Sequence, residues 1–214
     1  MFSYFLILLH LIPHLLGLSS TPPPKEHLLS SKEISLDKRY PIDSVNKVFR
    51  DNILLNVAYL TNSVKSQDDI KWDVIEKPFS KEIVLQPNQV FAFHDAVLPQ
   101  YKNEIAITSH AHFNLAEGFK SDGYLVGDGV CHLASLMYWA AQEAKLETTA
   151  PTNHDFMPIP QVPRKYGVAI YSDPNNPAVG SSQNLYIKNN LKKPIAFRFD
   201  YKNDNLKVSV AALD

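Results

Sequence analysis

One cysteine, Cys131, is all this chain contains, so no intramolecular disulfide can staple it. Glycine is also scarce, with 7 against 15 prolines in 214 residues, which points to a loop-rich, β-containing domain. No excess of either charge is present: 21 Lys and Arg against 22 Asp and Glu leave a net charge of −1. The basic residues are scattered, and the short Lys192-Lys193 pair reads as a solvated turn. Without a basic face there is no electrostatic footprint for nucleic acid. What is present, 45% hydrophobic and 20% charged residues, is the composition of a globular protein. The length suits one ordinary domain with a short appendage, and no internal repeat is visible.

The appendage sets the expected compartment. Phe, Leu and Ile dominate from Phe2 to Leu18, and small residues follow at Gly17-Leu18-Ser19-Ser20. Residues 1–20 therefore read as a signal peptide or an uncleaved membrane anchor, although no Lys or Arg precedes them. No cysteine follows this stretch, which argues against a lipoprotein anchor. The protein is expected to be exported to the cell envelope or beyond, touching membrane through this segment if it stays attached. Residues 21–40 are polar, begin with a proline run and read as a linker; residues 41–214 read as the domain.

Within the domain, Asp43 or Ser44 can cap a helix whose face is Val45, Val48, Phe49, Asn52, Ile53, Val57 and Leu60. After residue 71 the period becomes alternating. Strands are expected around 83–85 and 90–93, on either side of a turn at Pro87-Asn88-Gln89. Residues 104–113 alternate, with Ile105, Ile107, Ser109, Ala111 and Phe113 on one face and His110 and His112 on the other. Further strands are expected near 166–172, 184–188, 194–201 and 205–212, the last two forming a hairpin across Lys202-Asn203-Asp204-Asn205. The expected fold is α+β: a mostly antiparallel sheet packed around a central helix that starts at the cysteine, with one further N-terminal helix.

That central helix is the most informative part of the chain. Four of the seven glycines (Gly118, Gly123, Gly127, Gly129) fall in residues 118–129, just before Cys131. Such a cluster implies positive φ or a close backbone approach. From Cys131 onward, Leu133, Leu136, Met137, Ala140, Ala141 and Ala144 recur at helical spacing, giving a buried helix over about 130–145. A thiol in the first turn of a helix feels the positive end of the dipole, so a lowered pKa and a nucleophilic role are expected. Backbone N–H groups at Gly129, Val130 and His132 are candidate donors to an oxyanion. Against this stands the simpler view of a lone helix cysteine as a small buried hydrophobe.

Several segments taken in order resemble the VanW family, named from vancomycin-resistance gene clusters. Arg50-Asp51-Asn52-Ile53 resembles its Arg-Asn-Ile-rich helix, and Ile83 through Phe93 its apolar, Pro-Gly-Glu, Phe-Ser-Phe segment. Gly127 through Tyr138 resembles its Gly-Gly-Gly-Val-Cys-Gln run; His154 with Pro158, and Asn184 through Asn190, resemble its downstream segments. The resemblance covers about residues 48–200. It implies a cell-envelope protein and, for some members, cysteine-dependent L,D-transpeptidase activity on peptidoglycan stem peptides, with no organic cofactor. By the same resemblance Cys131 is the nucleophile and His154 the candidate base. The chain departs from the motif at Asp128 (middle glycine), His132 (glutamine), Asp155 (serine) and Gly167 (aspartate). Asp155 and Asp173 are the sequence-nearest candidates to orient His154 in place of that aspartate.

Two other readings remain open from the sequence. A catalytically inactive envelope module could bind wall peptides or a partner protein, with the departures as its support. His110 and His112 have metal-like spacing, with His94, His132 or Cys131 as a third ligand, although zinc wants three or four protein ligands. Their milder role is substrate contact.

Overall fold

The computed structural model describes residues 26–214. Residues 1–20, read above as signal peptide or anchor, lie outside the described residues. Among the described residues no helix is long and apolar enough to cross a membrane.

The first sheet is built from β1 (Glu26–Ser35), β2 (Phe79–Leu85), β7 (Ile195–Lys202) and β8 (Asn205–Leu213), in the antiparallel order β1-β8-β7-β2. Period-two patterning fixes its register. Phe197 faces Val210, Phe199 faces Val208 and Tyr201 faces Leu206, all buried, while Arg198, Asp200 and Lys202 turn outward. A one-residue slip would put this whole set into water. The two residues between β7 and β8, Asn203 and Asp204, both have positive φ (52° and 53°), as a two-residue primed turn requires. This is the hairpin the sequence predicts.

The second sheet contains β3 (Val90–Ala92), β4 (Ile105–Ile107), β5 (Glu147–Thr149) and β6 (Tyr186–Lys188), in the order β4-β3-β6-β5. Only its β3–β4 pair is parallel. The turn at Pro87–Gln89 joins strands of different sheets, since β2 belongs to the first sheet and β3 to the second.

Among the described residues four helices complete the α+β fold: α1 (Asp43–Leu60), α2 (Trp72–Ile75), α3 (Val130–Glu143) and α4 (Pro177–Ser182). Central α3 packs on β1 and β8, on α1 and on β5. Its Leu133, Leu136, Met137, Ala140 and Ala141 are fully buried, as their spacing predicts. The second half of α1 is apolar nearly all round, from Ile53 to Leu60, and is buried accordingly. Each Leu or Ile there contributes about 1.5–3 kcal/mol by burial.

Three expectations are corrected. The stretch read as a linker over 21–40 contains β1, a ten-residue edge strand paired along β8. An edge strand carries charge on its open face, and Lys32 and Glu33 made it look like a linker. Residues 104–113 form only three residues of strand, because His110 and Phe113 adopt φ of 55° and 61°. The alternation of burial nevertheless holds, with Ser109, Ala111 and Phe113 buried and His110 exposed. Residues 166–172 are extended without a ladder. Their N–H groups go to different partners: Val168 to Ser135 Oγ, Ala169 to Thr152 O and Tyr171 to Gln183 O.

Candidate functional site

The loop 118–129 delivers the chain to α3 through four glycines, all with positive φ. Gly129, the residue before the helix, has φ 98°, and a Cβ there would lie 2.7 Å from the Phe49 carbonyl oxygen. Only glycine lets α1 and the start of α3 approach this closely. The same loop is held from α1 by two neighbouring side chains. Asn52 Oδ1 accepts the Lys120 N–H (2.8 Å), and its Nδ2 donates to the carbonyls of Lys120 (3.0 Å) and Asp128 (2.9 Å). Beside it the buried Asp51 carboxylate accepts from Lys120 Nζ (2.6 Å) and Lys47 Nζ (2.8 Å). The Arg50-Asp51-Asn52-Ile53 stretch thus fixes the loop that presents the cysteine.

Cys131 opens into a pocket of about 500 Å³, walled by Tyr40, Phe49, Asp128, His132, His154 and Ile170. Tyr124 and Phe156, which are 93% and 73% exposed, stand at its rim with Leu125, Met157 and Tyr171. Exposed apolar side chains gathered around one opening mark a ligand surface. The Cys131 sulfur is engaged by one residue. It accepts the Ile170 N–H at 3.4 Å and faces the Ile170 carbonyl at 3.7 Å.

The expected low thiol pKa is overturned. Burial pushes the Cys131 thiol up to about 11, and the nearby Asp128 carboxylate adds to this, while the N–H groups of Ile170 and Cys131 oppose it. Desolvation of a thiolate outweighs half a unit of dipole charge at a helix end. The resting group is a thiol.

His154 shares this pocket and is buried. Its Nδ1 lies 2.9 Å from the Met157 carbonyl, which only accepts, so Nδ1 carries the proton and Nε2 keeps its lone pair. Burial lowers its pKa, leaving the ring neutral near pH 7. The orienting group is therefore a backbone carbonyl, and neither Asp155 nor Asp173 serves. Asp155 points to solvent near Arg164 (3.9 Å), and Asp173 accepts from the Asn175 N–H (2.9 Å). Gly167, the family's aspartate position, does lie against His154: a Cβ there would meet the His154 Cβ at 3.3 Å.

The expected oxyanion donors are corrected in part. The Val130 and His132 N–H groups are spent on the carbonyls of Gly127 (3.1 Å) and Gly129 (3.0 Å). His132 enters the site by its side chain instead. The ring is buried in the pocket wall, 6.3 Å from the His154 ring, with Nδ1 2.9 Å from Arg39 Nη2. Burial above all, then Arg39, hold its pKa well below the usual histidine range.

Arg39 and Tyr40 escaped the sequence reading because they fall in the apparent linker. Asn46 on α1 places them: its Oδ1 accepts the N–H groups of Arg39 (3.2 Å) and Tyr40 (2.9 Å). Asparagines at 46 and 52, buried on this helix and bonded to backbone of other segments, were the available signal that it makes buried amide contacts.

His110 and His112 part company. His110 is exposed and pairs with Asp95 (3.1 Å), whereas His112 pairs with Glu117 (2.8 Å) and alone of the two reaches the pocket. His94 is buried elsewhere, its Nε2 3.1 Å from the Gln183 carbonyl. Among the described residues no three His, Cys, Asp or Glu side chains gather as metal ligands, which removes the geometric basis of the metal-binding reading.

Asp128, at the motif's middle-glycine position, has its carboxyl pushed up to about 6, chiefly by burial, with Asp122 contributing. Its folded pKa lies above the unfolded value near 3.9, so the stability it contributes is complete below about pH 4 and is lost as pH rises through about 6. Asp128→Asn should therefore stabilise the protein at pH 7 by about 1–2 kcal/mol, discounted for partial solvation, and flatten the dependence between pH 4 and 6. It should also speed alkylation of Cys131 at pH 8. Chemical denaturation across pH checks the first, and iodoacetamide kinetics the second.

An α+β domain with a lone cysteine at a helix start, beside a buried histidine, is thus the class of protein in hand. The chain matches the family model described as VanW like protein over residues 79–211 and belongs to that family, associated with vancomycin resistance. The match starts later than the resemblance suggested, and leaves β1, α1 and Arg39 outside it. Comparison with curated proteins and with solved structures found no match.

Proposed function

We propose that the protein is an exported, cell-wall cysteine acyl transferase of the L,D-transpeptidase type, acting on peptidoglycan stem peptides. One observation carries this reading: Cys131 and His154, whose Nε2 makes no hydrogen bond among the described residues, line the same apolar-rimmed pocket. His154 Nε2 takes the thiol proton as Sγ attacks a carbonyl carbon of the donor stem. The C–S bond forms and the carbonyl π pair moves to oxygen. Collapse breaks the C–N bond, and the departing amine takes the proton from His154, leaving a thioester. The amine of a second stem then attacks the thioester, gives its proton to His154 and displaces the thiolate. Water as acceptor would make the product a free acid. With the thiol pKa raised by burial, His154 is the group that accepts the proton as the sulfur attacks.

The expected result is an adduct on Cys131, seen by intact mass after incubation with purified tetrapeptide muropeptide and absent in Cys131→Ala. A second reading, a non-catalytic module that binds wall peptides, is favoured by the raised thiol pKa and by the capture of sulfur by Ile170. Muropeptide binding without adduct or product would decide for it.

A further inference from the structure

Arg39 is buried, 8% exposed, and among the described residues it has no carboxylate partner. Its guanidinium donates to the carbonyls of Ser35 (2.8 Å) and Pro160 (3.2 Å) and to His132 Nδ1 (2.9 Å). Burial lowers its pKa only to about 10, so it remains a cation. A guanidinium has donors and no acceptor. Nδ1 of His132 must therefore accept, and the ring proton must sit on Nε2. That Nε2–H makes no hydrogen bond among the described residues, in a ring only 4% exposed whose open side faces the pocket of Cys131. A donor set in a pocket wall with no protein partner is available to a group bound in that pocket. Two of the three expected backbone donors are also spent, since the Val130 and His132 amides bond within the turn.

We propose that Arg39 is a positioning residue that locks His132 as its Nε2–H tautomer, so that His132 donates to the carbonyl oxygen of the group bound at Cys131. The two pocket histidines then have opposite fixed roles. Met157 leaves His154 with a lone pair that takes a proton, and Arg39 leaves His132 with a proton that meets developing negative charge. The donor role during reaction rests on the acyl-transfer reading above; the tautomer does not.

The test has two arms on the full chain. Nitrogen-15 NMR of histidine-labelled protein separates protonated from bare ring nitrogens. In the wild type, His132 should show a protonated Nε2 and a bare Nδ1, unchanged from pH 5 to 8. In Arg39→Met the ring should lose this fixed pattern, with part of the proton population moving to Nδ1. A proton on Nδ1 in the wild type overturns the proposal, whatever the variant does. The second arm compares two reagents at Cys131. p-Nitrophenyl acetate passes through an oxyanion as its C–O bond breaks and the thioester forms; iodoacetamide, alkylating by displacement, does not. His132→Ala should slow acetylation about 100-fold, the scale of one lost oxyanion donor, and alkylation less than threefold. His132→Gln, which restores an N–H donor, should recover most of the loss. Equal falls with both reagents overturn the donor role. If the wild type is never acetylated, the acyl-transfer reading and the donor role that rests on it both fail, while the tautomer arm decides the lock.

Discussion

Gly129→Ala is expected to lower stability by about 3–5 kcal/mol and to free the Cys131 sulfur from Ile170. Two costs combine. A side chain at φ 98° lies outside the regions that L residues occupy comfortably, at about 1–3 kcal/mol. The added methyl would also sit 2.7 Å from the Phe49 carbonyl oxygen and 3.0 Å from Ile53 Cγ1. That oxygen belongs to the backbone of a buried helix, so it cannot swing aside as a surface side chain would. Overpacking of this kind costs about 1–3 kcal/mol more. Gly123→Ala provides the control: its φ is 112°, yet nothing lies within 4 Å of the new Cβ, so only the conformational cost remains. Denaturant unfolding of both variants separates the two contributions, and equal losses would show that the contact with α1 is unimportant. Iodoacetamide should reach Cys131 faster in Gly129→Ala alone.

Asn52→Ala is expected to cost about 2–4 kcal/mol. Three hydrogen bonds vanish, and the Lys120 N–H, the Lys120 carbonyl and the Asp128 carbonyl lose their partner. The helix itself should hardly notice, since alanine is a good helix former. The damage should fall on the loop that carries the glycines, so amide exchange at Lys120 should accelerate well beyond that at Leu54. Asn52→Asp makes the point sharper. It retains the acceptor for the Lys120 N–H but sets a carboxylate against two carbonyls, and should be at least as harmful as alanine. A variant as stable as the wild type would mean that the loop is held by Asp51 alone.

How much of this was legible in the sequence follows from the range of each interaction. The hairpin Lys202–Asn205 and the helix beginning at residue 130 depend on neighbours within a few residues, and local patterns find them. The same holds for burial at Ser109, Ala111 and Phe113, although the strand that would normally accompany it stops at Ile107. β1 was hidden because its partner, β8, lies at the far end of the chain and its open edge is polar. The rise in the Cys131 pKa is illegible in the sequence for a different reason. A helix dipole can be read from position in the sequence, but desolvation depends on what packs above the sulfur, here Ile170 from a distant segment. His154 was placed in the site by resemblance, yet its orienting partner is the carbonyl of Met157, an atom every residue possesses and no motif records. Arg39 lay outside both the motifs and the family match.

The pairing of β1 with β8 also sets an order of events. Glu26 lies opposite Leu213 and Ser35 opposite Asn205, so the first described strand finds its place only when the last is present. Contacts this distant along the chain are slow to form, because a long loop must close before they repay its entropy. A chain that emerges from its N-terminus first carries β1 as an unpaired edge, and with it the short segment that ends in Arg39 and Tyr40. The pocket wall is thus among the last parts to assemble. A chain shortened by the nine residues of β8 keeps its cysteine, its histidines and all its glycines, yet loses the strand on which the segment leading to the arginine is laid.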